Sequence, residues 1–188
     1  MNNLKEILSA IHPLTQSEWE ILEHKFHRQD LTKNEIIVSK GQTENYLYFI
    51  EKGILRAWVD KGEKEITFDF HFENSVYSSY TSFLTRTPSE YNVQAITNMV
   101  IWKIHYDELQ KLYEQIIKWQ IIGRKAAELL YNEKSKREIA LLSRSPEQLY
   151  LEIFSEKPAL IRQIPLKYIA SYIGITPQAL SRIRKRIY

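Results

Sequence analysis

The 188-residue chain is predicted to be an α+β protein: an N-terminal antiparallel β-roll, jelly-roll-like in layout, with flanking helices, followed by helices to the end. Three observations carry that expectation. Residues 34–105 alternate β-branched and aromatic runs with turn signals. Beyond Tyr106 the apolar spacing becomes that of a helix. From Ala159 to Tyr188 there are six cations and no acid in a chain of formal net charge +3, so the rest sums to −3.

The first two elements read as amphipathic helices over 2–11 and 15–27, with Thr15 and Glu18 in capping-box spacing. The strand candidates are "EIIV", "YLYFIE", "ILRAWV", "EITFDFHF", "YNVQAI" and "MVIWKI", separated by "SKGQTEN", "DKGEK", "TRTPS" and "TN". Short strands at this spacing suit a sandwich or small barrel better than a βαβ layout. Next, Leu109, Leu112, Ile116, Trp119, Gly123, Ala126 and Leu130 recur at alternating steps of three and four. A continuous helix over 114–142 would be about 43 Å long, and the small pair Gly123 and Ala126 would let a second helix approach closely. That stripe could lie against its own β-unit. We assign Leu112, Ile116, Trp119, Gly123, Ala126 and Leu130 to a two-chain seam, because Ile117, Ile121 and Leu129 supply a second apolar flank. Ser145-Pro146-Glu147 starts another helix, running to about Phe154 and broken by "SEKPAL".

Composition excludes several classes. There are no cysteines, so no disulfide, thiolate-zinc site or cysteine-ligated cluster forms. No apolar run approaches the roughly 20 residues of a membrane span, and "MNNLKEILSA" lacks the pattern of a secretory leader, so a cytoplasmic protein without a membrane partner is expected. His24 and His27 share a helix face without a third ligand, and "FHFENS" offers one histidine where a metal-binding jelly roll needs two. No phosphate loop, dinucleotide fingerprint or nucleophile elbow occurs, and the carboxylates are scattered. No metal, no cofactor and no enzymatic activity are expected.

The ending "IASYIGITPQALSRIRKR" carries the most chemistry. A helix from Pro165 to about Tyr172 would stop at Gly174, where a left-handed residue turns the chain. Thr176 would cap a second helix beginning at Pro177. Ile169, Ile173, Ile175, Leu180 and Ile183 point to one core, leaving Gln178, Ser181, Arg182 and Lys185 along one outward stripe. Such a stripe suits base edges in a major groove, with Arg bidentate to guanine and Gln to adenine. Lys167, Thr176, Arg184 and Arg186 would flank it as phosphate contacts. The plainer reading is a helical hairpin with a wet basic face. The small Ala170, the glycine four positions later, the Thr-Pro restart and the absence of acids together favour DNA.

At these residues the chain resembles the CRP/FNR family of bacterial transcription regulators. The likeness rests on "IASYIGITPQALSRIRK" and on "SKGQTENYLYFIEKGILRAW", with Gly41 and Gly53 at turns. It implies a cyclic-nucleotide-binding-like sensor roll over 1–113, a dimerisation helix over 114–142 and a winged-type helix-turn-helix domain over 143–188. Gln178 stands where many members carry Glu, so different bases are expected. In ligand-responsive members a Gly-Glu pair holds the ribose and an arginine after a proline neutralises the cyclic phosphate. Counted from Pro88, this chain has Ser79-Tyr80 and Ser89-Glu90 there, so cyclic nucleotide binding is expected to be absent. Arg86 could reach in from the neighbouring turn. Tyr77, Ser79, Tyr80, Ser82, Arg86, Ser89 and Tyr91 either line a pocket for a neutral small-molecule effector of unknown identity or fill the cavity themselves. The expected function is a sequence-specific, homodimeric transcription regulator that does not answer to cyclic AMP. Its partners would be double-stranded DNA, a second copy, and RNA polymerase if it activates. The rival reading is a small-molecule-binding or protein-interaction module with a vestigial DNA-binding domain.

Overall fold

The computed structural model describes residues 1–156, 158 and 162–187. Two helices open the chain, α1 (Asn2–Ile11) and α2 (Gln16–Glu23). The capping box forms as expected: Thr15 Oγ1 accepts from the Glu18 amide at 3.3 Å, and Glu18 accepts from the Thr15 amide at 2.8 Å. Glu18 also meets Lys118 at 2.6 Å, and this lysine, ahead of the Thr15 donors, holds its carboxyl at about 2.

The roll contains β1 (His27–Leu31), β2 (Ile36–Val38), β3 (Tyr46–Lys52), β4 (Ile54–Lys61), β5 (Lys64–Phe72), β6 (Ser75–Tyr77), the short helix α3 (Tyr80–Thr85), β7 (Asn92–Ala95) and β8 (Met99–His105). All six strands read from the sequence are present. β1, β6 and α3 lie outside the runs read as strands from the sequence. The first sheet runs β1-β8-β3-β6 and the second β2-β7-β4-β5, every pair antiparallel. Between β3 and β4, Gly53 has φ +101°, and a Cβ there would lie 2.7 Å from Met99 Cγ and 2.8 Å from the Asn98 carbonyl. Only glycine fits such a turn.

Both sheets are covered on both faces, which is why "YLYFI" and "ILRAWV" read as near-continuous apolar runs. Tyr48, Ile50, Leu55, Ala57, Val93 and Ile101 fill the interior between the sheets. Phe49 and Ile104, on the outer face of the first sheet, join Leu4, Trp19 and Leu22 of the opening helices. Ile54 and Phe70, on the outer face of the second, join residues of the C-terminal helices.

Those helices are α4 (Tyr106–Gln115), α5 (Ile117–Ser143), α6 (Pro146–Glu156), α7 (Leu166–Tyr172) and α8 (Pro177–Ile187). The rod is interrupted at Ile116, whose extended backbone (φ −136°, ψ 108°) separates α4 from α5. No strand follows β8 among the described residues, so the wing of the winged-type expectation has no counterpart there: helices and their turns take up that part of the chain. The break expected over Ser155–Leu160 falls partly outside the described residues, as do both ends of the acid-free tail, Ala159 and Tyr188. No helix among the described residues is long and apolar enough to cross a membrane.

Of the seam expected on α4 and α5, part is used within the chain. Leu112 and Trp119 are buried with α1 and α2, and Tyr113 lies so close to Gly123 that a Cβ there would sit 2.5 Å from its hydroxyl. Ile116 and Leu130 are half-buried, leaving Ala126 exposed. The N-terminal helices thus cover this stripe at Leu112 and Trp119. The opposite side of α5 carries exposed apolar residues, Ile117 (69%), Tyr131, Ile139 and Leu142 (84%), with Ile121 half-buried among them; Leu129 and Leu141 are exposed elsewhere on the helix.

Halfway along, Lys134 of α5 forms an ion pair with Asp69 of β5, which also meets His71 Nε2 at 3.1 Å. Burial alone would raise this carboxyl, but the His71 and Lys134 charges hold it at about 2, below its ordinary 3.8. Its stabilisation is therefore present above pH 4 and is lost as pH falls toward 2, amounting to about 2 kcal/mol. Asp69→Asn should be less stable than wild type in urea at pH 7, with the difference closing between pH 4 and pH 2. A difference independent of pH would contradict the pairing.

Candidate functional site

The acid-free ending folds around two helices and a tight turn. The last turn of α7 closes with the Gly174 amide donating to the Ser171 carbonyl at 3.1 Å and the Ile175 amide to the Ala170 carbonyl at 2.9 Å. This pair of bonds needs a left-handed residue between them, and Gly174 has φ +76°. Thr176 Oγ1 then accepts from the Ala179 amide at 3.2 Å and starts α8. Ile169, Ala170, Ile173, Leu180 and Ile183 are buried together with Leu149 and Tyr150 of α6. Burying these positions turns Gln178, Ser181, Arg182 and Lys185 outward, and all four are exposed. None of their side chains bonds to another described residue, so the stripe presents its side-chain donors to solvent.

The flanking residues divide. Lys167 is exposed at the start of α7, 4.8 Å above the Tyr168 ring. Thr176 spends its hydroxyl oxygen on the cap. Arg186 is held by Glu147 of α6 at 2.7 Å, an exposed pair that is weak in water. Arg184 is half-buried, and its Nε is enclosed without an acceptor.

The cassette between β6 and β7 is filled by its own side chains. Ser79 and Ser89 are buried and share a hydrogen bond of 2.9 Å between their hydroxyls. Ser89 donates onward to the Tyr91 carbonyl at 2.8 Å. Ser82 Oγ donates to the Thr87 carbonyl at 2.5 Å and accepts from the Glu44 amide at 3.0 Å. Tyr77 is buried with its ring 4.5 Å from that of His71, and Tyr91 meets Phe68 edge-on at 4.9 Å. Tyr80 packs on the cluster formed with the N-terminal helices.

Arg86 turns away from the cassette. Its backbone is left-handed (φ 57°), and its guanidinium donates to the Glu44 carbonyl at 2.6 Å, to the Phe83 carbonyl at 3.2 Å and to Asn45 Oδ1. It lies 4.2 Å over the Tyr106 ring. The arginine thus staples the loop before β3 to α3. Of the two readings left open for this group, these contacts favour the filled cavity.

Sequence reasoning missed Glu44, which stands beside the cassette. It is buried, and its carboxylate accepts from the Tyr46 amide at 2.9 Å, from Tyr48 Oη at 3.0 Å and from the Ser79 amide at 3.5 Å. Burial raises its pKa, and these donors offset part of that. An acid inside "GQTENY" looks like an ordinary turn residue, and no local signal marks it. An open cleft of about 500 Å³ lies at the mouth between β1 and β2, lined by Gln29, Leu31, Val38, Glu44, Tyr46 and Lys103.

Comparison with known proteins agrees with this architecture. Residues 28–116 match the family described as "Cyclic nucleotide-binding domain". No curated protein matches the sequence significantly. FixK2 from Bradyrhizobium japonicum superposes with a TM-score of 0.71 at 14% identity, over 86% of this chain and 84% of that one. The catabolite activator protein of Thermus thermophilus gives 0.59 at 18% identity, over 96% and 85%. CLP of Xanthomonas campestris, described as a c-di-GMP responsive global regulator linking cell-cell signalling to virulence gene expression, gives 0.68 at 13%, over 90% and 89%. Residues 28–116 are therefore similar to the cyclic nucleotide-binding domain family, in a chain that has the fold of these regulators.

Proposed function

We propose that the chain is a sequence-specific DNA-binding transcription regulator that acts as a homodimer and needs no cyclic nucleotide. The observation that carries this reading is the unpartnered stripe of Gln178, Ser181, Arg182 and Lys185 on α8, a helix with no acid. In that reading α7 and α8 form a helix-turn-helix, with α8 entering the major groove and α7 crossing the backbone. Lys167 is the best-placed phosphate contact. Arg186 would have to exchange Glu147 for a phosphate.

A second copy is the occupant we assign to the outer side of α5. Ile117, Ile121, Arg124, Glu128, Tyr131, Ser135, Ile139 and Leu142 follow one another at steps of three or four along that side. The ends of the stripe are apolar, and an Arg124–Glu128 ion pair sits in its middle. Polar residues inside an otherwise apolar seam fix register at some cost in stability. Two copies joined there would offer two recognition helices to half-sites roughly 34 Å apart.

Three measurements test this reading. Arg182→Ala should cost about 1–3 kcal/mol at the specific site and relax one base position; an equal loss on random DNA would make Arg182 a phosphate contact and count against base reading. In sedimentation, the wild type should be a dimer and Ile121→Glu/Ile139→Glu a monomer, whereas an unchanged dimer would refute the outer seam. Calorimetry with cyclic AMP should give no saturable heat, because Ser79 and Ser89 satisfy each other where the ribose and phosphate would sit. Saturable micromolar binding would show that the cassette opens.

A further inference from the structure

"ILRAWV" on β4 places one cation inside an apolar run, and the structure buries it. Arg56 is 1% exposed on the outer face of the second sheet, beneath α7. Its Nε donates to Thr67 Oγ1 at 2.8 Å and its Nη1 to Glu65 Oε2 at 2.7 Å, both on β5. Its buried Nη2 has no oxygen acceptor. The remaining compensation is aromatic: the guanidinium carbon lies 4.6 Å from the Trp58 ring centre and 3.6 Å from that of Tyr168 in α7. A desolvated guanidinium is attracted to a ring face.

One turn along α7 a second tie reaches the same strand. Ser171 Oγ accepts from the Thr67 amide at 2.8 Å and donates to the Glu65 carbonyl at 3.2 Å. β5 is an edge strand, so these backbone groups would otherwise be unpaired. Beside it, Tyr172 meets Phe70 of β5 edge-on at 5.1 Å. Arg137 of α5 donates to the Tyr172 carbonyl at 2.6 Å and lies 3.7 Å over the same ring. The helix ahead of α8 is thus tied to the roll at consecutive turns, and the short turn at Gly174 passes its direction on to α8.

We infer that Tyr168 and Ser171 are positioning residues for DNA recognition: they do not touch DNA, but they tie α7 to Arg56, Glu65 and Thr67 of the roll and so set the angle and spacing at which α8 is presented. This rests on the DNA-binding reading above. It makes the edge of the roll part of the specificity apparatus, acting on half-site geometry and not on base identity. Because the base-reading stripe is exposed while α7 is docked, the docked form is the competent one.

The test uses the full chain carrying Tyr168→Leu, Tyr168→Phe or Ser171→Ala. In the free protein, amide hydrogen exchange at Thr67 should rise at least about tenfold in Ser171→Ala and Tyr168→Leu, with β3 and β8 unchanged. Tyr168→Phe, which keeps the ring face, should match the wild type. On two-fold DNA, wild type and Tyr168→Phe should prefer one half-site spacing by about tenfold over spacers one base pair longer or shorter, and Tyr168→Leu and Ser171→Ala should lose that preference. The dependence of affinity on salt should stay the same in all four proteins, because no phosphate contact is removed. A general loss of folded protein would lower all affinities together and leave the spacing preference intact. Wild-type Thr67 exchange and wild-type spacing preference in both Tyr168→Leu and Ser171→Ala would overturn the inference. Exchange is read without DNA, so it decides the docking separately; absence of any specific site for the wild type would count against the DNA reading instead.

Discussion

Burial of the second sheet's outer face beneath the C-terminal helices is the constraint on which the rest of the molecule depends. Ile54, Phe70 and Ile96 share one apolar cluster with Ala140 of α5, Leu149 of α6 and the cores of α7 and α8. Neither side of that contact is self-sufficient. α7 and α8 are too short to hold together alone, and the sheet face would otherwise expose a large apolar patch. Covering it joins the roll and the basic ending into one packed unit. Arg56, Ser171 and the Asp69–Lys134 pair add direction to a contact whose strength is hydrophobic.

That packing bears on how the roll could speak to the ending. In the cassette the Ser79 and Ser89 hydroxyls bond to each other, the Glu44 carboxylate accepts from the Ser79 amide, and Ser82 Oγ accepts from the Glu44 amide. Bonded buried polar groups of this kind rigidify a site, whereas the Tyr77 hydroxyl, buried beside them, has no hydrogen-bond partner among the described residues. Arg86, the nearest cation, is committed to carbonyls of the neighbouring loop and to Tyr106. The open cleft at β1 and β2 shares Glu44 with the cassette, since that carboxylate lines the cleft and accepts from the Ser79 amide.

Much of this was legible in the sequence. The six stronger strands follow from runs of Val, Ile, Phe, Tyr and Trp between turn residues, and the Thr15 cap and the Gly174 turn follow from side-chain chemistry at single positions. β1 escaped notice because "HRQDL" buries one residue, Leu31, and wears charges on an edge. β6 and α3 are too short to show a period. The sequence alone does not choose a seam face on α5, because that helix is apolar on two sides. The inner one, with Trp119 and Ile122, reads as an unbroken stripe, while Arg124, Glu128 and Ser135 interrupt the outer one. The outward stripe of Gln178, Ser181, Arg182 and Lys185 was legible because burying Leu180 and Ile183 leaves few ways to orient α8. The filling of the cassette was not, since a hydroxyl that lines a pocket and one that closes it look alike in a sequence.

The central claim is that the folded chain presents a base-reading surface without any ligand. Selection of genomic fragments by the purified, ligand-free protein at physiological salt, followed by sequencing, tests it most directly. The account predicts enrichment of a two-fold-symmetric motif with a single half-site spacing. Retention of DNA without a common motif, or no enrichment at all, would contradict it.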